Sequence, residues 1–304
     1  MLENLEALGK EQTTRKTYKK LLLRLASKTD LNEPNQVNLA IARFKKFNPQ
    51  TGKDTNKDVT NAYKDRLISA YKTYVEYYNI QNWKQPYYTP EDKGIQPPND
   101  EKVKFLIATA KEPLNIKIMI IGETGLRPKE VTGTNGLQVN DIHKDTKTLT
   151  ARSLKGCNPR PPMPISDELL TALNNYITKH NLKGTDLLFA GNSETLSNHF
   201  YDHKKLLAKR LNDPTIEQTR LYDIRHYYIT KKVRKLQNTE IVRQITGHKR
   251  LNTLQRYIHL ALNQTGEWIV EQTNDKQRAK ELLIQDFTYQ FTTPDGYMTF
   301  RKPK

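Results

Sequence analysis

Apolar residues recur at helical spacing through the first 80 residues of the chain. They fall at positions i, i+3, i+4 and i+7 in two stretches, and a longer run with the same period extends from about Val59 to Tyr78. This spacing places the apolar side chains on one face of each helix, where they can pack together. The pattern predicts a small helical domain over residues 1–83. The apolar positions of the first two stretches are Tyr18, Leu21, Leu22 and Leu25, and Val37, Ala40, Ile41 and Phe44.

A proline-rich segment follows this domain. The stretch KQPYYTPEDKGIQPPND, residues 84–100, holds four prolines and a glycine and has no helical period. Proline and glycine favour turns and extended chain over helix. We therefore predict a linker over residues 84–98 and a second domain over residues 99–304.

Helical periodicity also dominates the second domain. Two short alternating segments, at 147–154 and 161–165, predict the strands of a small antiparallel sheet. The tail FTYQFTTPDGYMTFRKPK alternates around a Pro-Asp-Gly turn and predicts a β-hairpin after a C-terminal helix. The predicted fold class is therefore mainly α with a small antiparallel β-sheet. The predicted helical stretches are 103–110, 114–122 with Gly125 as its cap, and 166–257 with breaks at 181–184, 212–214 and 247.

The charge of the chain indicates a polyanionic partner. Its 50 lysines and arginines exceed its 33 acidic residues and give a net charge of +17, which favours nucleic acid. A membrane partner is not expected, because the N-terminal stretch has no lipidation signal and the longest apolar run, Ile118–Ile121, is too short to cross a bilayer. The single cysteine, Cys157, excludes an internal disulfide. We expect an intracellular, nucleoid-associated protein.

One short segment places an arginine by backbone geometry. In TGLRPKEV, residues 124–131, Gly125 suits the end of one helix and Pro128 suits the start of the next. Arg127 then lies on the tight connection between the two helices. Taken alone, this residue can equally be a surface arginine that completes a turn.

Two later segments add further polar residues at defined spacing. In LYDIRHYYI, Tyr222 and Arg225 lie three positions apart and share a helix face. In TGHKRLNTLQRYIHL, His248 follows a helix-ending glycine, and Tyr257 comes nine positions after it. Two guanidinium groups and an imidazole can hold the negative charge that develops on a phosphodiester under attack, while a tyrosine hydroxyl supplies the nucleophile. The set predicts phosphoryl transfer without a metal ion or another cofactor.

In their order and spacing, these segments resemble the tyrosine recombinases, the phage-type integrases. The segment SLKGCNPRPPMPI matches the family's β-hairpin with its lysine, and Glu130 takes the position that supports the first arginine. The resemblance extends over residues 99–265. The catalytic positions that it implies are Arg127, Lys155, Tyr222, Arg225, His248 and Tyr257.

The resemblance also implies an architecture and partners. The N-terminal domain would be a helical, SAM-like core-binding domain, and residues 99–304 would form the catalytic domain. The partners would be double-stranded DNA attachment sites, with a homo-tetramer in the synaptic complex and a monomer without DNA. Tyr222 departs from the family's usual histidine. This departure and the tail resemble archaeal virus and plasmid integrases.

Several residues compete for these roles. Arg160 is the chief rival of Lys155 as the general acid for the 5′-oxygen, since both lie in one basic stretch. Tyr227 and Tyr228 are rival nucleophiles by residue type, but their helix is patterned as core. His226 is interpreted as a packing residue or a supporting contact of the site.

Two other kinds of chemistry are less favoured. A metal cluster of His226, His248 and His259 lacks accompanying carboxylates or thiolates, so we predict no metal site. Cys157 has no evident partner base and is interpreted as incidental.

Three functions remain open on the sequence. The first is a site-specific recombinase that exchanges strands between duplexes through a 3′-phosphotyrosyl intermediate. The second is a topoisomerase of type IB, which shares this chemistry but reseals the same strand after swivelling. The third is a DNA-binding protein without turnover, which uses its basic charge alone.

The net charge generates a prediction about DNA binding. If about six phosphates are contacted, the affinity for duplex DNA should fall by about 10³-fold between about 50 and 200 mM salt, because each contact releases counterions. Binding titrations over a salt series measure this slope. An affinity that does not change with salt would contradict an interface made mainly with phosphates.

Overall fold

The chain forms two compact units. The computed structural model describes residues 2–7, 9–89, 91, 94–152, 159–236, 238–263 and 268–303. Contacts divide the chain into Met1–Lys93 and Gly94–Lys304. This division lies inside the predicted linker, whose ends at residues 84 and 98 stay predictions. Helices dominate both units and the sheets are small and antiparallel, which confirms the predicted fold class.

The first unit packs its helices on the predicted apolar faces. The side chains of Leu25, Ile41 and Leu67 are fully buried in one cluster, and Tyr88 of the predicted linker packs against it. The long helix begins after Thr60, whose hydroxyl accepts a hydrogen bond from the Tyr63 amide at 3.3 Å. The helices are α1 (Leu2–Ala7), α2 (Gln12–Ala26), α3 (Pro34–Ala42) and α4 (Asn61–Tyr78).

A β-hairpin in this unit was not predicted. Strands β1 (Lys45–Asn48) and β2 (Lys53–Asp58) pair antiparallel between α3 and α4. Their sequences, KKFN and KDTNKD, are polar and mostly exposed, so no alternation of apolar residues marks them. The prediction of a purely helical domain was therefore wrong at residues 45–58.

The second unit is built around α6, whose residues are almost all buried. The described residues of this unit form eight further α-helices, the last of them near the C-terminus, and none of the helices in the described part of the chain is long and apolar enough to span a membrane. The predicted breaks are confirmed, since Asn181, Asn212 and Gly247 all have positive φ. The helices are α5 (Asp100–Thr109), α6 (Leu114–Thr124), α7 (Pro128–Val131), α8 (Asp167–Lys179), α9 (Ser193–Leu211), α10 (Leu221–Leu236), α11 (Thr239–Thr246) and α12 (Asn252–Asn263).

A three-stranded sheet lies between α7 and α8. The two predicted segments contribute β4 (Thr148–Leu149) and β5 (Met163–Pro164), which pair antiparallel as expected but are shorter than predicted. A further strand, β3 (Ile142–His143), pairs with β4 and was not predicted. Lys155 and Cys157, in the connection between β4 and β5, lie outside the described residues.

The C-terminal segment forms a small module of its own. The predicted hairpin is confirmed as β7 (Thr288–Thr292) and β8 (Met298–Pro303), and α13 (Lys276–Ile284) precedes it. Strand β6 (Trp268–Thr273) was not predicted and pairs with the other side of β8. The side chain of Phe300 is buried between the sheet and α13.

The turn between α6 and α7 is closely packed. Gly125 ends α6 with φ 64°. The ring of Tyr228 lies directly against this glycine, so that a Cβ placed there would be only 2.3 Å from the ring carbon Cδ1. The position therefore requires glycine both for its backbone conformation and for space.

This packing predicts a large loss of stability in Gly125→Ala. The left-handed conformation costs an alanine about 1–2 kcal/mol, and displacement of the buried ring adds about 1–3 kcal/mol. The free energy of unfolding should therefore fall by at least about 2 kcal/mol, measured by urea denaturation with circular dichroism.

Gly184→Ala is the matched control, because Gly184 has φ 48° in the same unit but its nearest neighbours to an added Cβ are 3.9 Å away. The free energy of unfolding of Gly184→Ala should fall by only about 1–2 kcal/mol, the cost of the left-handed conformation. Equal losses in the two variants would show that the Tyr228 ring moves aside at no cost.

Candidate active site

The turn after α6 holds Arg127 at the start of α7. Because Gly125 reverses the chain and Pro128 begins the next helix, Arg127 occupies the N-cap position. The Glu130 carboxylate accepts hydrogen bonds from the Arg127 amide at 2.5 Å and from its Nη1 at 3.1 Å. The Arg127 side chain keeps 23% exposure, whereas that of Glu130 is 2% exposed. Glu130 therefore fixes the direction of a guanidinium that still reaches the surface.

Arg160 holds the other side of the same carboxylate. Its Nη2 lies 2.7 Å from both carboxylate oxygens of Glu130, and its side chain is only 3% exposed. A buried carboxylate between two guanidinium groups is well compensated. Arg160 thus supports Glu130 and, through it, Arg127.

Arg225 on α10 is fully buried and connects two turns. Its guanidinium donates to the Gly125 carbonyl through Nη1 and to the Thr246 carbonyl at 3.0 Å through Nη2. Its Nε is buried without a hydrogen-bond partner in the described part of the chain. Burial, followed by the charges of Arg127 and Arg160, lowers the pKa of Arg225, which still leaves the group charged at neutral pH.

The second of these turns carries His248. Gly247 ends α11 with φ 67°, and the Thr246 hydroxyl lies 2.6 Å from His248 Nδ1. That hydroxyl also donates to the Val242 carbonyl at 2.6 Å, so Nδ1 is the nitrogen that carries hydrogen. Burial, and then the charge of Arg225, lowers the pKa of His248 to about 3. The imidazole is therefore neutral.

Tyr257 on α12 lies beside this cluster. Its side chain is 3% exposed and its hydroxyl lies 2.6 Å from Nδ1 of His226. Burial raises the pKa of Tyr257 to about 12, although the charges of Arg225 and Arg127 act in the opposite direction. The phenol is thus protonated and bound to an imidazole.

Sequence reasoning did not select His226 for the site. It was interpreted as a packing or supporting residue, yet its ring contacts the hydroxyl of Tyr257 directly. Burial lowers the pKa of His226 to about 4. The available signal was its spacing, because His226 lies four positions after Tyr222 and next to Arg225 on one helix.

The remaining aromatic candidates occupy different environments. Tyr222 is 41% exposed and presents its ring to His226 at a centroid distance of 5.0 Å. Of the rival nucleophiles, Tyr228 packs in the core against Gly125, and the hydroxyl of Tyr227 accepts a hydrogen bond from Lys231 at 3.2 Å.

The structure thus brings together Arg127, Glu130, Arg225, His248 and Tyr257, with Tyr222 at the edge of the group. It says nothing of Lys155 or of the His259 side chain, which are not among the described groups. Within the parts of the chain that the structure describes, no group of three or more His, Cys, Asp or Glu side chains is placed to hold a metal ion.

The chemical character of the cluster is cationic. Two of its three guanidinium groups, those of Arg127 and Arg160, bind the Glu130 carboxylate, that of Arg225 binds backbone carbonyls, and both imidazoles are neutral. Such a site attracts an anion and can stabilise negative charge that grows during a reaction. The phenol of Tyr257 lies close enough to this charge for Arg225 and Arg127 to act on its pKa.

Comparison with known proteins agrees with this geometry. The chain is 28% identical to the tyrosine recombinase XerA of Saccharolobus solfataricus over 173 residues, which cover 57% of this chain and 54%, about half, of that protein. It is 25% identical to the tyrosine recombinase XerA of Pyrococcus furiosus over 216 residues, which cover 68% of this chain and 73% of that protein.

A solved structure shares the fold. The Tn1549 transposon integrase in complex with transposon right end DNA superposes with a TM-score of 0.60 at 14% identity, over 93% of this chain and 97% of that chain. The sequence profile described as the phage integrase family matches residues 99–264, which is more than half of the chain. The chain belongs to the phage integrase family.

Proposed function

We propose that this chain is a site-specific DNA recombinase that cleaves and rejoins DNA through a 3′-phosphotyrosyl bond to Tyr257, without metal or ATP. The observation that carries the proposal is the double hydrogen bond of buried Arg225, which joins the Arg127 turn to the His248 turn beside Tyr257. The relatives named above are recombinases and integrases, which supports the same class of reaction.

The charge of the site suits a phosphodiester in the transition state. Attack by a phenol oxygen places additional negative charge on the non-bridging oxygens of the phosphate. Arg127 reaches the surface, and Nε of Arg225 and Nη1 of Arg160 are buried donors without a partner in the described part of the chain. These donors favour the more highly charged transition state over the ground state.

The leaving 5′-oxygen requires a proton, and Lys155 is the proposed donor. Its rival Arg160 is buried and bound to Glu130 through both carboxylate oxygens. A guanidinium that binds both oxygens of a buried carboxylate has a supporting role. We therefore assign Arg160 to the positioning of Glu130 and Arg127.

The nucleophile must change its position before it reacts. At 3% exposure the Tyr257 side chain does not face solvent, and its ring packs among Tyr228, Ile229 and Leu254. Reaction with a duplex therefore requires a shift of α12. In this proposal, the cationic groups are assembled before DNA binds and the phenol is exposed only afterwards.

The proposed partners are double-stranded attachment sites, with a tetramer at synapsis and a monomer without DNA. We further propose a virus or plasmid integrase. Tyr222 and the tail module are the features that favour it, and both XerA relatives come from archaea. A swivelling topoisomerase and a DNA-binding protein without turnover are the alternatives, and the experiment below separates them.

The probe for the reaction is a pool of nicked duplexes with a randomised centre. A nick lets the cleaved 5′ end diffuse away, so that the wild-type protein traps reactive sequences as adducts that survive denaturation. The selected sequence is called the captured duplex. Joining of one captured duplex to another indicates recombination, whereas relaxation of supercoiled DNA without exchange would indicate a topoisomerase.

We predict that Tyr257→Phe forms no adduct with the captured duplex in EDTA and without ATP. The change removes only the hydroxyl, so binding in a gel-shift assay should equal that of the wild type. Tyr227→Phe is the matched control and should form adducts normally, because that phenol is bonded to Lys231. Adducts with Tyr257→Phe, or a requirement for Mg²⁺, would overturn the proposal.

A second prediction separates Lys155 from Arg160. A substrate with sulfur in place of the bridging 5′-oxygen has a leaving group that needs no proton. Lys155→Ala should cleave the sulfur substrate about 10²-fold or more faster than the oxygen substrate, because general acid catalysis contributes about that much.

Arg160→Ala should cleave both substrates slowly and should show the rate ratio of the wild type. This ratio is measured within each variant, so a loss of folded protein does not change it. Rescue of Arg160→Ala by sulfur would reverse the assignment of the two residues.

A further inference from the structure

His226 contacts the proposed nucleophile but has no role in the reaction as proposed so far. At position 222, where the family resemblance leads one to expect histidine, this chain has Tyr222, and one helical turn later His226 lies on the nucleophile. We propose that His226 is the general base of the reaction and takes the proton of the Tyr257 hydroxyl through Nδ1. This inference rests on the proposed function, since it needs Tyr257 to attack the phosphate.

The hydrogen bond between the two groups has a defined direction. Oη of Tyr257 and Nδ1 of His226 are 2.6 Å apart, and the phenol is the stronger donor while the imidazole nitrogen is the stronger acceptor. The tyrosine therefore donates, and His226 carries its own hydrogen on Nε2. A base must lie within hydrogen-bond reach of the proton that it removes, and His226 meets this condition.

His248, the other histidine of the site, forms its hydrogen bond with a group other than Tyr257. Nδ1 of His248 is bonded to the Thr246 hydroxyl, and the centroid of its ring is 6.4 Å from that of Tyr257. The two histidines thus have different positions, with His248 fixed on the turn that Arg225 holds and His226 on the phenol. Tyr222 adds a T-shaped contact that supports the ring of His226 at 5.0 Å.

The surroundings of His226 keep its imidazole unprotonated. Burial is the main cause that lowers its pKa to about 4, the nearby cations Arg220, Arg225 and Arg256 act in the same direction, and Asp223 opposes them. The ring is therefore unprotonated throughout the neutral range. A phosphodiester bound to these cations would offset their charge and make protonation of His226 easier.

Each bond that breaks in this step is matched by a bond that forms, and each proton has a donor and an acceptor. The O–H bond of Tyr257 breaks and an N–H bond forms at Nδ1 of His226, while the phenol oxygen bonds to phosphorus and the bond to the 5′-oxygen breaks. That oxygen takes a proton from the general acid. In rejoining, His226 returns its proton to the phenol oxygen as the phosphotyrosyl bond breaks.

The test compares His226→Asn with the wild type on the captured duplex. The asparagine oxygen lies near the position of Nδ1 and can accept the hydrogen bond, but it cannot take the proton. The rate of adduct formation should fall about 10²- to 10⁴-fold, the usual contribution of a general base, while duplex binding stays unchanged. His199→Gln, an exposed histidine on α9, is the matched control and should react at the wild-type rate.

A fluorinated tyrosine at position 257 distinguishes a base from a packing residue. Its more acidic phenol needs less help in losing the proton, so the defect of His226→Asn should shrink at least about 10-fold in this background. His226→Gln serves as a second variant. The comparison is made between two nucleophiles in the same His226 variant, so partial unfolding affects both rates alike.

Three results would be decisive. A defect of equal size with tyrosine and fluorotyrosine would show that His226 only packs against the nucleophile, and a wild-type rate in both His226 variants would exclude it from the reaction. If the unaltered protein forms no adduct at all, the proposed function itself fails, and this outcome is distinct from a failure of His226.

Discussion

The site depends on one buried guanidinium. Arg225 donates to the carbonyl two residues before Arg127 and to the carbonyl two residues before His248. Each carbonyl belongs to a turn or a helix end near a left-handed glycine, where backbone acceptors are otherwise left unpaired. A charged group in the core is tolerated only with such partners, so fold and site require each other. Loss of Arg225 would remove a cation and also release both turns.

The assembled site concentrates positive charge in one place. Arg127, Arg160 and Arg225 lie near one another, and Glu130 is the carboxylate that bonds two of them. Burial lowers the pKa of both imidazoles, and the charge of Arg225 acts in the same direction on each, which keeps His226 and His248 neutral. In the proposed reaction, a bound phosphodiester would offset these charges, and the same charges that repel each other in the free protein would stabilise the transition state.

Local sequence signals predicted much of this arrangement, and their limits have physical causes. Gly125, Pro128 and Gly247 mark helix ends through backbone conformation alone, so the positions of Arg127 and His248 on turns followed directly from the sequence. The pairing of Arg160 with Glu130 joins residues 30 positions apart and has no local signal. The hairpin at residues 45–58 was not predicted because its exposed polar strands show no alternation of apolar and polar residues. The contact between His226 and Tyr257 depends on how α12 packs against α10, which no local pattern shows.

The buried phenol presents two opposing demands. Burial raises the pKa of Tyr257 to about 12, which protects the nucleophile from premature ionisation but also makes it a poor one. Arg225 and Arg127 already act in the opposite direction, but burial outweighs them. In the proposed reaction, a base that already accepts the hydrogen bond of the hydroxyl takes its proton directly, whereas solvent cannot reach a side chain with 3% exposure. In the proposed reaction, the hydrogen bond to His226 supplies a proton acceptor for the buried phenol at a point where water is excluded.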